Sequence, residues 1–188
     1  SASPNNFGEL DANGTSTVEY NGATAQIFSE DAGAGTDIFD YQNVVLNNTF
    51  GTFPQFTMEG LATVHSGITF TDGIVLTNAT DLLVVDDNAT ATGASDVSHV
   101  DGPVKKIGNE AFTFPVGDDL NYQLCGISAP SLTTDAFTAQ YFEVNSDPTY
   151  THTLKDPSIH HLSKCEYWII DRITGSSDVS VTLSWDIK

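Results

Sequence analysis

Positive charge is what this chain has least of. Among its 188 residues, six are lysine or arginine and 25 are aspartate or glutamate, a formal net charge of −19. Such a field repels phosphate backbones and anionic lipid headgroups, so no nucleic acid is expected as a partner and a membrane surface is disfavoured. No stretch approaches the roughly 18 consecutive apolar residues of a spanning helix, so membrane insertion is not expected. The opening SASPNNFGEL has neither the basic n-region nor the apolar h-region of a signal peptide. Secretion would then require a signal removed earlier or lying upstream in a longer precursor. Methionine occurs once and cysteine twice, and the absence of a CxxC spacing argues against a thiol enzyme. Leu, Lys, Arg and Glu are scarce as well, which disfavours helices.

What remains is rich in Thr, Ser, Asn, Gly and Asp, the composition of strands joined by tight turns. In the first part, apolar or β-branched stretches stand between Gly, Asn and Asp: STVEY (16–20), TAQIF (24–28), YQNVVLN (41–47), FTMEGLATV (56–64), GITF (67–70), GIVLTN (73–78) and DLLVVDD (81–87). Runs such as Val44-Val45-Leu46 and Leu82 to Val85 suit strands buried on both faces. The principal runs return about every 15–20 residues, which fits a parallel β-solenoid of a few coils, with a sandwich edge as the other reading. DDNATATGASD (86–96) is small and polar and is taken as the boundary between an N-terminal part, 1–96, and a C-terminal part, 97–188, unless the two form one continuous unit.

Beyond that boundary alternation sharpens. Val179, Val181, Leu183, Trp185 and Ile187 would share one face of a half-buried antiparallel strand, with Ser180, Thr182, Ser184 and Asp186 on the other. Phe137, Ala139 and Tyr141 repeat the pattern. In FTFPVG (112–117), Phe112 and Phe114 share a face before Pro115 and Gly117 end the strand. Tyr167, Trp168 and Trp185 are candidate anchors of a sandwich core. A short helical turn is expected at 157–162, with Asp156 as N-cap and Pro157 at the first helical position. The expected fold is all-β: solenoid-like strands leading into an antiparallel β-sandwich, with at most one short helical turn.

Catalytic signatures are weak. Of His65, His99, His152, His160 and His161, only the adjacent pair 160–161 beside Asp156 suggests a metal or base, and neighbours in sequence do not share a face; HExxH and His-x-His are absent. Ser176 and Ser177 lie in TGSSD, without the G-x-S-x-G elbow, and read as a hairpin turn. Neither a P-loop nor a dinucleotide fingerprint occurs, and 25 acids will place some carboxylate pair at any distance, so no enzyme is expected. Hard oxygen ligands beside strands occur at Asp86, Asp87 and Asn88 and at Asp118 and Asp119, which makes one structural Ca²⁺ a candidate; solvated loop acids are the plainer reading. A glycan would need exposed aromatic faces, with Tyr41, Phe53, Phe56, Tyr122 and Tyr150 as candidates. The sequons at Asn13, Asn47, Asn78 and Asn88 matter only in a eukaryotic secretory pathway. Cys125 and Cys165 either form a disulfide, contributing roughly 3–4 kcal/mol and implying an oxidising exterior, or are two unrelated buried thiols.

The wording and order of NGTSTVEYNGATAQ (13–26), SHVDGPVKKIG (98–108), FTFPVG (112–117), FTAQYF (137–142), EYWIIDR (166–172) and VTLSWD (181–186) resemble β-rich modules of very long secreted and cell-surface proteins of Bacteroidetes, many exported by the type IX pathway and some adhesive. The resemblance covers nearly the whole chain. It implies solenoid structure followed by a sandwich, a Cys125–Cys165 pair, and an excised module or processed subunit. The functional expectation is a non-enzymatic extracellular building block of a surface adhesin or filament, whose partners are neighbouring modules or identical subunits. A carbohydrate-binding module is the alternative.

Overall fold

The structure, a computed structural model, describes residues 15–28 and 39–184; Asn13, Trp185 and Ile187 lie outside them. Successive strands alternate between two sheets, because each short apolar run is followed by a polar corner. One sheet takes β1 (Thr17–Tyr20), β3 (Phe39–Asn47), β5 (Leu61–Asp72), β7 (Leu82–Val85) and β10 (Val104–Ile107), all parallel, with β8 (Thr90–Thr92) also paired to β5. The other takes β2 (Gln26–Phe28), β4 (Phe56–Met58), β6 (Val75–Leu76), β9 (Val100–Asp101) and β12 (Val116–Asp118), parallel again. A strand from each sheet makes one coil, which is the solenoid-like arrangement.

The coils are longer than the spacing of apolar runs suggests. Thr17 lies opposite Asn43, Val44 opposite Ile68, Val64 opposite Val85 and Leu83 opposite Val104, so successive coils take 26, 24, 21 and 21 residues. The shorter spacing arises because both sheets contribute runs to each coil. Leu82 to Val85 are buried on both sides of their strand, whereas Val44 and Leu46 point inward and Val45 is half-buried. Each fully buried valine or leucine contributes roughly 1.5–3 kcal/mol. Polar side chains close the corners. Asn48 is fully buried, donates Nδ2 to the Thr24 carbonyl (2.8 Å) and to Gln26 Oε1 (2.9 Å), and accepts from the Phe50 amide (2.8 Å). Backbone groups that a sharp corner would leave orphaned are thereby satisfied.

Past β10 the pairing changes sense. β15 (Ala136–Phe142) and β16 (Tyr167–Thr174) extend the first sheet antiparallel, and β13 (Asn121–Tyr122) caps the second. A third, antiparallel sheet is formed by β11 (Phe112–Phe114), β14 (Cys125–Ile127) and β17 (Val181–Leu183). Phe112 and Phe114 share the core with Phe137, Ala139 and Tyr141 as their alternation requires. The parallel pairing runs straight across residue 96, through β6 to β9 and β7 to β10, so the expected boundary does not separate the sheets.

Three local expectations are corrected. The helical turn is a 3₁₀ turn at His152–Leu154; the Asp156 carboxylate instead accepts from the amide and hydroxyl of Ser158, closing a non-helical turn. TGSSD is not a hairpin, because β16 and β17 belong to different sheets and the segment crosses between them. In β17, Val181 and Leu183 share a face with buried Ile127 and Cys125 but remain 48% and 47% exposed, since an edge strand reaches beyond the core it flanks. No helix among the described residues is long and apolar enough to cross a membrane.

The coils and the antiparallel part meet at Lys106. Its side chain is 2% exposed, and Nζ donates to the carbonyls of Asp86 (2.6 Å) and Ala89 (3.2 Å) and pairs with Glu110 Oε2 (3.0 Å). The ammonium also lies 5.3 Å from the centroid of the Phe112 ring. Lys106→Met keeps the stem but strips two buried carbonyls of their donor and Glu110 of its counter-charge. We expect it to lower unfolding free energy by about 2–4 kcal/mol in urea titration; a loss below about 0.5 kcal/mol would contradict this role.

Candidate cation site

β12 runs beside β9 with Gly117 opposite Asp101, then turns back into β13 with Asp118 opposite Asn121. That register sets the end of β9 against the turn of the β12–β13 hairpin and brings Asp101, Asp118 and Asp119 together. Each offers a carboxylate oxygen, and these oxygens lie within 4.8 Å of one another. Asp101 Oδ2 accepts from the Asp119 amide (3.1 Å), and Asp118 Oδ2 accepts from the Glu143 amide (2.7 Å). Among the described residues no ion pair neutralises any of the three. Like charges at such a distance repel by about 1 kcal/mol per pair even in water, and more where water is excluded. Burial first, then the neighbouring Asp118 and Asp119 charges, pushes Asp101 from the ordinary 3.8 up to about 6, against the Asp119 amide that favours its anion.

His99 is fully buried two residues before Asp101, on the same face of the strand. Its Nδ1 bonds the Ser95 carbonyl (3.0 Å). A carbonyl only accepts, so Nδ1 carries the proton and Nε2 presents a lone pair. Nε2 has no hydrogen-bond partner. It rests over Gly117 at the base of the acidic hairpin: a β-carbon there would lie 2.5 Å from Nε2 and 2.5 Å from the Asn121 carbonyl oxygen. Glycine at 117 is therefore what admits the ring. Burial lowers the pKa of His99, opposed by the Ser95 carbonyl, the Asp96 charge, the Asp119 backbone and the Asp118 charge, in that order.

The five oxygen ligands singled out in the sequence do not assemble. Asp118 and Asp119 join Asp101, whereas in the other group Asn88 Nδ2 donates to Asp87 Oδ2 (2.8 Å) and the Lys106 ammonium takes the flanking Asp86 and Ala89 backbone carbonyls. Asp86 also accepts from or pairs with His65 Nδ1 (2.7 Å), whose Nε2 lies 3.3 Å from Asp40. Asp101 is hidden in the sequence because DGPV reads as a turn, and His99 stands there as an isolated histidine; the His-x-Asp alternation of 99 and 101 is the signal that links them.

Other candidates take structural places. His160 and His161 are exposed and face each other, Nδ1 to Nδ1, at 3.1 Å. The Ser177 hydroxyl donates to buried Asp135 and accepts from the Ser131 amide (2.9 Å), clasping two loops. Gly175, at φ +90°, leaves room for Asp135, whose Oδ1 a β-carbon would strike. Tyr41 and Phe56 are buried in an aromatic cluster with Tyr20 and Phe28, so they cannot meet a sugar; Phe53 and Tyr122 are half-buried. Tyr150 alone of that set is exposed, edge-on to Tyr167 (5.8 Å), which stacks on Phe142 (4.7 Å).

The expected disulfide is absent. Cys125 is a buried thiol in β14 of the third sheet, and Cys165 is an exposed thiol just before β16 in the first. Different sheets hold them, one facing the core and one facing solvent.

Compared with protein-family models, with curated proteins and with solved structures, the chain matches none. The function is accordingly argued from its own geometry.

Two outcomes follow from these sites. Burial pushes the Cys125 thiol up to about 12, so a thiol reagent at pH 8 should label Cys165 in the native protein and Cys125 only after denaturation. Rapid labelling of both, or of neither in unfolded non-reduced protein, would refute the assignment. At Asp101 the folded pKa exceeds the unfolded one, so the folded state holds the proton longer. Its stabilising contribution, present below about pH 4, is lost as pH rises toward 6. In EDTA, Asp101→Asn should flatten the fall of stability across that window; an unchanged slope in urea titrations would exclude Asp101 as its source.

Proposed function

We propose that this chain is a non-enzymatic structural module of an extracellular, cell-surface assembly, joined strand to strand to a neighbouring module or to an identical subunit. The observation that carries the reading is the outer edge of β1, which no strand among the described residues covers. The Asn43 amide donates to the Ser16 carbonyl (3.1 Å) with Thr17 opposite Asn43, so the backbone groups of Thr17 and Glu19 turn away from β3. Among the described residues no strand pairs with that edge, nor with the outer edge of β16 or of β17. Solenoids need their terminal coils covered, and an uncovered parallel edge is a template for β-augmentation. The half-exposed Val181 and Leu183 on β17 add apolar area at the opposite part of the fold.

The non-catalytic part of the reading is supported by how the reactive side chains are used: Ser177 clasps Asp135, and His65 lies between Asp40 and Asp86. The extracellular part rests on the acidic, strand-rich composition and on the resemblance described above, with the disulfide argument removed. A glycan-binding role has one supporting feature, the partly exposed Phe142, Tyr167 and Tyr150 rings, since stacked aromatic faces are what a sugar requires.

Light scattering over a concentration series should show reversible self-association or heterotypic capture of a flanking module. Thr17→Pro removes an outward donor without touching the β1–β3 ladder, so it should weaken association about tenfold or more with little change in Tm. A strictly monomeric protein, or association indifferent to this substitution, would refute edge joining. Saturable glycan binding abolished by Tyr150→Ala would favour the alternative.

A further inference from the structure

Two features of the β12–β13 hairpin are left incomplete by the described residues. One is the set of three carboxylates of Asp101, Asp118 and Asp119, held within 4.8 Å of one another without a basic residue to neutralise them. The other is the buried Nε2 of His99, whose lone pair opens onto the same hairpin over Gly117 and beside the Asn121 carbonyl. Two backbone amides, of Asp119 and Glu143, serve two of these oxygens; the other groups gathered there are acceptors: carboxylates, the Asn121 carbonyl and the His99 Nε2. Acceptors converge stably only when a donor or a cation lies among them. A bare cation would answer the carboxylates, and a water carried by that cation would answer the imidazole.

We propose that Asp101, Asp118 and Asp119 bind a calcium ion, one of whose waters donates a hydrogen bond to Nε2 of His99. The donor set chooses the ion. Three hard anionic oxygens and nearby loop carbonyls suit calcium, which takes six to eight oxygen ligands at about 2.3–2.6 Å. Zinc prefers nitrogen and sulfur ligands in a tetrahedron, and His99 does not belong to the group of mutually close ligand atoms, so it serves the outer sphere. Magnesium demands a tighter octahedron and keeps most of its own water. The ion would bridge β9 to the β12–β13 turn and thereby fasten the last coil of the parallel stack. It stands apart from edge joining, and either can fail without the other.

The test is calorimetric titration of the EDTA-stripped 188-residue chain with CaCl₂, paired with thermal unfolding in EDTA and in about 2 mM CaCl₂. We expect a single site with Kd near or below about 1 mM and a Tm raised by roughly 3–6 °C. Asp119→Asn is the first variant, because its side chain is exposed and the fold should tolerate it; it should weaken binding about tenfold or more and remove the Tm shift. Asp101→Asn should do the same, and His99→Asn should weaken binding several-fold while leaving one site. No heat and no Tm shift up to about 10 mM CaCl₂ would overturn the proposal. So would binding unaffected by Asp119→Asn and Asp101→Asn, or a response to ZnCl₂ or MnCl₂ but not to CaCl₂.

Discussion

The Lys106 ammonium is the constraint on which the rest of the architecture hangs. β10 is the last parallel strand of the first sheet and the first to take an antiparallel neighbour, so it faces two kinds of pairing at once. Its inward lysine reaches under the loop after β7, takes the Asp86 and Ala89 carbonyls and Glu110, and lies against the Phe112 ring of the third sheet. A buried ammonium is costly to leave unpaired, and here two backbone carbonyls accept from it while the Glu110 carboxylate balances its charge. In a chain with six basic residues, one of them is spent inside, where it locks parallel stack, loop and antiparallel layer into one register.

The acidic excess is then felt at the surface and in the loops. Where a basic group is supplied, as at Asp86 beside His65 or Glu110 beside Lys106, carboxylates settle into ordinary pairs. Where none is supplied, as at the β12–β13 turn, they are left to repel, and the pKa of Asp101 is raised by burial first and by the Asp118 and Asp119 charges after it. Fold and acidity are linked here by register: Gly117 opposite Asp101 places the turn acids against β9, and glycine's missing side chain admits His99 behind them.

The interior of the parallel stack and the limits of the sheets differ in how their backbone and side chains are satisfied. The stacked coils bury their apolar faces against each other and carry the polar corners of Asn48, Gln26 and Gln55, which satisfy backbone groups that a tight bend exposes. Strands at the limits of the sheets retain outward-turned backbone and, on β17, half-exposed Val181 and Leu183.

The residues by themselves determined the all-β class, because the strong helix formers are scarce and short apolar runs punctuated by Gly, Asn and Asp leave little but strands and turns. Local alternation was legible for the same reason: the two-residue period of Phe112 and Phe114, or of Phe137, Ala139 and Tyr141, is a property of the strand itself. Coil length was not legible, since two sheets contribute runs to every turn of the stack. Nor was the exposure of Val181 and Leu183, whose burial depends on whether other residues reach across them. Asp86, Asp87 and Asn88 looked like Asp118 and Asp119 in composition; only the folded chain sends Lys106 to the first group and Asp101 to the second. The Cys125–Cys165 bridge failed on the same ground, because sequence separation says nothing about which sheet, and which side of it, a residue will occupy. Strand formation follows from nearest neighbours along the chain, whereas charge neutralisation and thiol pairing follow from neighbours in space.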